Sequence, residues 1–131
     1  MLTNRKGEIR VKYTQDHEWI NIAEGVATIG VTEFAQEQLG NIVFVELPSV
    51  GDVVELDQEA VVIESVKAAG EIRAPFTGVI VEVNELLHDS PEIVNDDPMG
   101  AGWLIKVQLE ANTDLSELLD EDAYSALIGT L

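Results

Sequence analysis

The strongest structural signal in this chain is the segment Val61-Val62-Ile63-Glu64-Ser65-Val66-Lys67-Ala68-Ala69-Gly70-Glu71-Ile72. Two apolar runs, each typical of a β-strand, flank one lysine, so the segment predicts a strand-to-strand corner that carries Lys67. The three residues after the lysine are small enough to leave its amine uncovered. A lysine at such a corner is either an ordinary solvated side chain or an attachment point, and the corner alone leaves both interpretations open.

Basic residues are rare in the rest of the chain. Of its 131 residues, seven are Lys or Arg and 25 are Asp or Glu, which gives a net charge of −18. Four of the seven bases lie within the first twelve residues, which leaves Lys67, Arg73 and Lys106. This balance argues against nucleic-acid binding, because phosphate contacts need clustered bases. It favours protein partners with basic surfaces.

Length and composition predict one folded domain over residues 1–131. Hydrophobic residues make up 46% of the chain and are spread along it, which is enough for a single core. A short N-terminal extension is expected at 1–12 and a helical C-terminal segment at 113–131. The chain has no cysteine, no apolar run of membrane-spanning length and no signal-peptide pattern at its start, so we expect a cytoplasmic protein without disulfides.

Local signals place several elements. Glu24-Gly25 separates two apolar runs and predicts a hairpin. Thr32 has the side chain of an N-cap for a short helix over 33–39, and Gly40 stands at the stop position. Near the C-terminus, Asp114-Leu115-Ser116-Glu117 has the form of a capping box and predicts a helix over 114–119, with Leu115, Leu118 and Leu119 at helical spacing. Asp120 could cap a second helix, whose inward-facing residues would be Ala123, Tyr124 and Leu127.

A weak internal repeat organises the middle of the chain. Residues 43–47 resemble residues 79–83, with a spacing of 36, and each copy leads through a turn to another apolar strand, at 60–66 and 103–109. Two such halves related by a pseudo-two-fold axis would form a flattened, mostly antiparallel barrel or sandwich. The link between the halves would be the corner that carries Lys67.

No catalytic constellation is visible. His17 stands between Asp16 and Glu18, but neighbours in a strand point to opposite faces, so this is poor spacing for metal ligands or an acid–base pair. His88 is most simply a turn residue, and the acids at 95–99 lack the alternating pattern of a calcium loop. The chain is therefore expected to be neither an enzyme nor a metal protein.

Five motifs together resemble one known family, the H proteins of the glycine cleavage system. The resemblance runs from about Tyr13 to the C-terminus, and the triplet Val66-Lys67-Ala68 differs from the lysine triplets of biotin carriers and of 2-oxoacid dehydrogenase lipoyl domains. The motifs are Asp16-His17-Glu18-Trp19, Thr32-Glu33-Phe34-Ala35-Gln36-Glu37-Gln38-Leu39-Gly40, Phe44-Val45-Glu46-Leu47-Pro48, Glu64-Ser65-Val66-Lys67-Ala68 and Gly102-Trp103-Leu104-Ile105-Lys106.

The resemblance implies a lipoyl/biotinyl-type flattened barrel-sandwich hybrid with pseudo-two-fold symmetry and short peripheral helices. It implies lipoate bound covalently to Lys67 as N6-lipoyllysine, within a recognition turn formed by Glu64, Ser65, Val66 and Ala68. The chain would be a non-catalytic carrier and a monomer. Its swinging arm would take the aminomethyl group from a pyridoxal-phosphate glycine decarboxylase (P protein) to a tetrahydrofolate-dependent aminomethyltransferase (T protein). Electrons would pass to dihydrolipoyl dehydrogenase (L protein), and lipoate-attaching enzymes would load the chain.

The resemblance also implies a cleft that protects the loaded arm, whose ammonium group would need a carboxylate. The acids available for it are Glu18 and Glu71, with Asp16 near; the alternative is that they are solvated surface acids. Three residues depart from the common family pattern: Gly70 stands where Ser or Thr is common, Glu71 where Asp is common, and Asp16 where a small polar or basic residue is frequent.

Two alternative functions stay open at this level. The same lysine would serve a relay protein that accepts octanoyl or lipoyl groups and passes them to other enzymes. The chain could also be a β-sandwich interaction module whose lysine is unmodified.

Overall fold

The computed structural model describes residues 11–131. Most of the expected extension at 1–12 lies outside this range, and Val11 and Lys12 already belong to the first strand. The elements are β1 (Val11–Tyr13), β2 (Glu18–Ala23), β3 (Val26–Val31), α1 (Glu33–Leu39), β4 (Ile42–Glu46), β5 (Val53–Val54), β6 (Glu59–Ser65), β7 (Ala69–Arg73), β8 (Gly78–Val83), α2 (Leu86–Asp89), α3 (Ile93–Asp96), β9 (Ile105–Leu109) and α4 (Glu121–Gly129).

The strands form two antiparallel sheets. Six strands pair in the order β1-β2-β3-β9-β8-β5, and three pair in the order β4-β6-β7. The sheets are not closed into a barrel, and one core of buried aliphatic side chains from both sheets lies between them. Burying one such side chain stabilises the fold by about 1.5–3 kcal/mol. The predicted mostly β architecture with short peripheral helices is confirmed.

The internal repeat corresponds to matching strand pairs. β4 pairs with β6 in the small sheet, and β8 pairs with β9 in the large one. The two pairs share their register at one point, where Phe44 lies opposite Glu64 and its equivalent Ile80 lies opposite Val107. Past the register shift between Ile80 and Glu82 the two pairs differ by one residue. The first half of the repeat thus contributes an antiparallel strand pair to the small sheet, and the second half contributes one to the large sheet.

The C-terminal segment is helical over a shorter range than predicted. Residues 114–119 form turns and a bridge rather than a helix, because the backbone of Leu119 pairs with Tyr13 at 2.8 and 2.7 Å. The Asp114 carboxylate accepts hydrogen bonds from the Ser116 backbone N–H and hydroxyl, as in an Asx turn. α4 then begins after Asp120, whose carboxylate accepts from the Ala123 N–H at 2.8 Å as an N-cap. Within residues 11–131, no helix is long and apolar enough to span a membrane.

Candidate functional site

Lys67 lies at the exposed corner between β6 and β7, as the sequence predicted. The Ser65 side chain holds this corner, since its Oγ accepts hydrogen bonds from the backbone N–H groups of Lys67 and Ala68, each at 3.1 Å. The same hydroxyl lies 3.1 Å from the Ala68 carbonyl, to which the Ser65 backbone N–H also donates at 2.8 Å. A serine in a turn often satisfies the backbone in this way. The position of the lysine is therefore fixed by its own turn.

The end of α1 supports the corner from the other side. The Val66 N–H donates to the Asn41 carbonyl at 2.9 Å. The Lys67 stem lies across Gly40, where an added Cβ would come within 2.8 Å of the lysine Cε. Gly40 also has a φ of +79°, a conformation that glycine adopts without strain. Its carbonyl accepts from the Asn95 side chain at 2.8 Å, which ties α3 to the same place.

The Lys67 amine has no carboxylate partner in the described part of the chain. Two ion pairs form among residues 11–131, Arg73 with Glu71 at 3.1 Å and Lys106 with Glu82 at 3.3 Å. The two residues after Lys67 are alanines, and both are exposed. A second molecule can thus approach the amine without displacing a bulky side chain or breaking a salt bridge.

The three acids that the resemblance pointed to, Asp16, Glu18 and Glu71, line one surface depression of about 530 Å³. It lies between the start of β2 and the exposed edge strand β7. An adjoining depression of about 520 Å³ shares Asp16 and Glu18 with it and runs toward the C-terminal segment. Arg73 lines both. The structure therefore brings the sequence-predicted acids together, and it adds one base that sequence reasoning did not assign to the site.

Thr14 shapes the cleft wall. Its hydroxyl accepts from the N–H groups of Asp16 and Glu18, each at 3.2 Å, and donates to the Glu18 carboxylate at 3.1 Å. His17 between them has a left-handed φ of 69°, so the chain reverses before it enters β2. A Thr two residues before Asp-His-Glu is a typical signal for such a turn, and it could have been identified in the sequence.

Glu18 is the unusual acid of the cleft, because its side chain is only 3% exposed. Burial raises the pKa of the Glu18 carboxyl to about 7; the Thr14 hydrogen bond opposes the rise, and the charges of Asp16 and Asp57 add to it. Near neutral pH this carboxyl is therefore close to half protonated. A cation placed beside it would favour the ionised form and be stabilised in turn.

Glu71 faces the cleft from the opposite side and is exposed. The main cause that lowers the pKa of Glu71 is a hydrogen bond from the neighbouring Glu59 carboxyl. Hydrogen bonds from Arg73 lower this pKa further. It therefore carries its negative charge at neutral pH. Glu18 and Glu71 are thus unlike in behaviour, one buried and titrating near neutrality, the other exposed and ionised.

His17 connects the cleft wall to the C-terminal helix rather than to a metal. Its Nδ1 lies 2.9 Å from the buried Tyr124 hydroxyl, which is also 2.6 Å from the Thr32 hydroxyl at the start of α1. The ring of Tyr13 stacks on Tyr124 with a centroid distance of 4.5 Å. Across residues 11–131, no group of three or more His, Cys, Asp or Glu side chains is arranged to hold a metal ion.

Comparisons with known proteins agree on one family. The model of the family described as glycine cleavage H-protein matches residues 11–130. The chain is 52% identical over 117 residues to the glycine cleavage system H protein of Bartonella tribocorum, with 89% of this chain and 96% of that protein covered. It is 52% identical over 113 residues to that of Thermotoga maritima, covering 86% and 91%. A crystal structure of a glycine cleavage system H protein from Mycobacterium marinum superposes with a TM-score of 0.84 at 41% identity, covering 92% of this chain and 97% of that one.

Proposed function

The chain belongs to the glycine cleavage H-protein family, and we propose that Lys67 is the residue through which it carries lipoate. Proteins of this family are non-catalytic lipoyl carriers of the glycine cleavage system, and this chain is one of them. The observation that carries the assignment of Lys67 is its exposed amine, which forms no ion pair among residues 11–131 and stands at a corner that Ser65 and Gly40 hold in place.

The residues around Lys67 fit an amide-linked acyl chain. Acylation removes the lysine charge, which costs nothing in lost ion pairs here because Lys67 forms none among residues 11–131. The flanking strands β6 and β7 are paired over five residues each, so the tether begins at a rigid point. When bound, the lipoyl group supplies the disulfide that accepts the aminomethyl group and electrons. The protein has no cysteine that could exchange with that disulfide.

We further propose that the cleft of Asp16, Glu18 and Glu71 holds the ammonium group of the loaded arm. Glu18 is suited to this because it is buried and accepts a single described side-chain hydrogen bond, from Thr14. An ammonium beside it would lower its pKa again and replace the missing solvation. Glu71 would add charge from the open side, and the half-buried Ile72 on the same wall would help to exclude water.

The family implies interaction with the other components of the glycine cleavage system. We propose glycine decarboxylase, the aminomethyltransferase and dihydrolipoyl dehydrogenase as those partners. The net charge of −18 supports encounter with basic protein surfaces. The decarboxylase exchange reaction with glycine tests this role: the fully lipoylated chain should support it, whereas a relay protein for lipoate supply would not.

Intact mass spectrometry tests the attachment. The chain is incubated with a lipoate-attaching enzyme, ATP and lipoate, and wild type is compared with Lys67→Arg and Lys106→Arg. Wild type and Lys106→Arg should each gain one lipoyl mass, and Lys67→Arg should gain none. A lipoyl group on Lys67→Arg, or none on wild type, would overturn the assignment.

The lifetime of the loaded arm tests the cleft. Glu18→Gln should release the aminomethyl group to water faster than wild type, whereas Glu110→Gln, at an exposed site away from the cleft, should not. Equal lifetimes for all three proteins would show that Glu18 has no part in holding the arm.

A further inference from the structure

The outer face of the small sheet mixes acids with exposed apolar side chains. Phe44, Glu64 and Ala69 lie opposite one another across the three strands, and so do Glu46, Val62 and Glu71. The residues between them, such as Val45 and Ile63, are buried against the core, so these six side chains belong to the opposite face. We call this the outer face; it consists of Phe44, Glu46, Val62, Glu64, Ala69 and Glu71.

A β-bulge creates the apolar part of this surface. In a regular strand neighbours alternate between core and solvent, but the register shifts between Ile42 and Phe44. Val43 and Phe44 are consequently both exposed, at 53% and 46%, while the residues on either side of the pair are buried. Val66, which is 66% exposed and directly precedes the lysine, is the third large apolar side chain near this end of the sheet.

The internal repeat shows that the exposure of Phe44 is specific to this half of the molecule. The residue equivalent to Phe44, 36 positions later, is Ile80, and it is fully buried. Its neighbour Val79, equivalent to Val43, is exposed at 38%, as regular alternation requires. The half that carries Lys67 has therefore placed an aromatic ring in solvent where the other half places its residue in the core. A large exposed ring beside a functional residue is typical of an interface anchor.

The charges on this face restrict the kind of partner. The outer face carries three acids, Glu46, Glu64 and Glu71. Arg73, at the end of β7 away from the Lys67 corner, is already paired with Glu71. An apolar anchor among acids fits a protein surface with an apolar recess and a basic rim. The cleft of Glu18 lies beyond β7, whereas Phe44 is on β4 at the opposite edge of the same sheet. Glu71 belongs to both the outer face and the cleft, so a partner that keeps to the β4 edge around Phe44 would leave Asp16 and Glu18 uncovered.

We propose that the outer face, with Phe44 as its anchor, docks the enzyme that acylates Lys67; this proposal rests on the attachment proposed above. That enzyme must bring an activated acyl group, such as an acyl-phosphate anhydride or a thioester, to the lysine Nζ. The amide bond forms as the bond from the acyl carbon to phosphate or thiol breaks, and the amine proton passes to the leaving group or solvent. The enzyme must therefore contact the chain right beside the corner, where the exposed apolar side chains lie. Partners that act on the far end of the arm have no such requirement.

Steady-state acylation kinetics test the proposal, with the unmodified chain as the varied substrate and a lipoate-attaching enzyme, ATP and lipoate in excess. Phe44→Ser should raise KM about tenfold or more, with kcat changed by less than about twofold, because an anchor contributes binding rather than chemistry. Val43→Ser should have a smaller effect in the same direction. The matched control is Val79→Ser, the repeat-equivalent exposed valine of the other sheet, which should behave as wild type.

Reversing one charge on the outer face provides a second, independent variant. Glu64→Lys should also raise KM, and its KM should depend less on salt concentration than that of wild type. Thermal melts should show all four variants folded, since every substituted residue is exposed.

The possible results distinguish the proposed attachment at Lys67 from the proposed docking surface around Phe44. If wild type gains no acyl group, the attachment itself is wrong. If wild type is acylated but Phe44→Ser and Glu64→Lys match Val79→Ser, the attachment stands and the docking surface is wrong. If Phe44→Ser leaves acylation unchanged and weakens only the glycine exchange reaction, the face belongs to a glycine cleavage component and the proposal is overturned.

Discussion

Replacing Glu18 by Gln should stabilise the fold at neutral and alkaline pH. Glu18 is 3% exposed in the wild-type chain, and burial raises the pKa of its carboxyl from 4.5 to about 7. The folded chain therefore holds this proton more tightly than the unfolded chain does. Below about pH 4.5 both states are protonated, and Glu18 has no electrostatic cost. As the pH rises toward 7 the unfolded chain gains stability by ionising, so the free energy of unfolding falls.

The size of the effect follows from the two pKa values. The difference between 4.5 and about 7 corresponds to about 3 kcal/mol, fully developed above pH 7. Gln has the same shape, cannot ionise, and offers an oxygen that can still accept from the Thr14 hydroxyl. Glu18→Gln should thus match wild type near pH 4 and exceed it by up to about 3 kcal/mol at pH 8. For a chain of this size that is roughly 10 °C in Tm.

Urea denaturation at pH 4, 5, 6, 7 and 8 measures the difference directly. The free energy of unfolding of Glu18→Gln minus that of wild type should grow with pH over the interval between 4.5 and about 7. Glu110→Gln, at an exposed carboxylate, is the matched control. A difference that is the same at pH 5 and pH 8, or a variant less stable than wild type at pH 8, would refute the reasoning about burial.

Three further changes test the supports of the site. Ser65→Ala removes the one side-chain oxygen that accepts from both corner amides, so hydrogen exchange at Lys67 and Ala68 should speed up by roughly fivefold, for about 1 kcal/mol lost; unchanged exchange would contradict this. Tyr124→Phe should cost about 1–3 kcal/mol in urea denaturation, because its buried hydroxyl bonds two partners. Gly30→Ala should cost at least 1–3 kcal/mol and alter indole fluorescence, because the new Cβ would lie 2.5 Å from Trp19 Nε1; an unaltered spectrum would refute it.

Local signals in the sequence were sufficient for the elements whose determinants lie within a few residues. The hairpin at Glu24-Gly25 and the helix α1 are both confirmed, and the Thr32 hydroxyl accepts from the Ala35 N–H at 3.2 Å as an N-cap should. The helix predicted at 114–119 is wrong for the opposite reason. Asp114 does accept hydrogen bonds from Ser116, but the segment forms turns and a bridge, because the backbone of Leu119 pairs with Tyr13, more than 100 residues away. A sequence pattern within a few residues cannot reveal backbone pairing between segments so far apart in the chain.

The same distinction applies to the site. Lys67 stood out in the sequence because its corner is local and bases are rare around it. The burial of Glu18 was not visible, since the residues that surround it, such as Thr14, Arg73 and Leu118, come from distant parts of the chain. Nor was the exposure of Phe44, because alternation within β4 would have placed Phe44 and Val43 on opposite faces. Only the register of β4 against β6 reveals the bulge.

Two residues on either side of the strands that flank Lys67 have surroundings opposite to their chemistry, and together they argue for function more strongly than either residue alone. Glu18 is an ionisable residue buried in the wall of the cleft, and Phe44 is an aromatic residue that is 46% exposed. Neither arrangement helps the fold, since Glu18→Gln is expected to stabilise the chain and the exposed ring of Phe44 contributes little buried area. They lie on opposite sides of the strands that carry the lysine, one toward β7 and one on β4. Local conflicts of this kind are expected where binding, rather than stability, sets the residue. The two sides of the corner would then serve different steps, acylation of Lys67 at the β4 edge and protection of the loaded arm beyond β7.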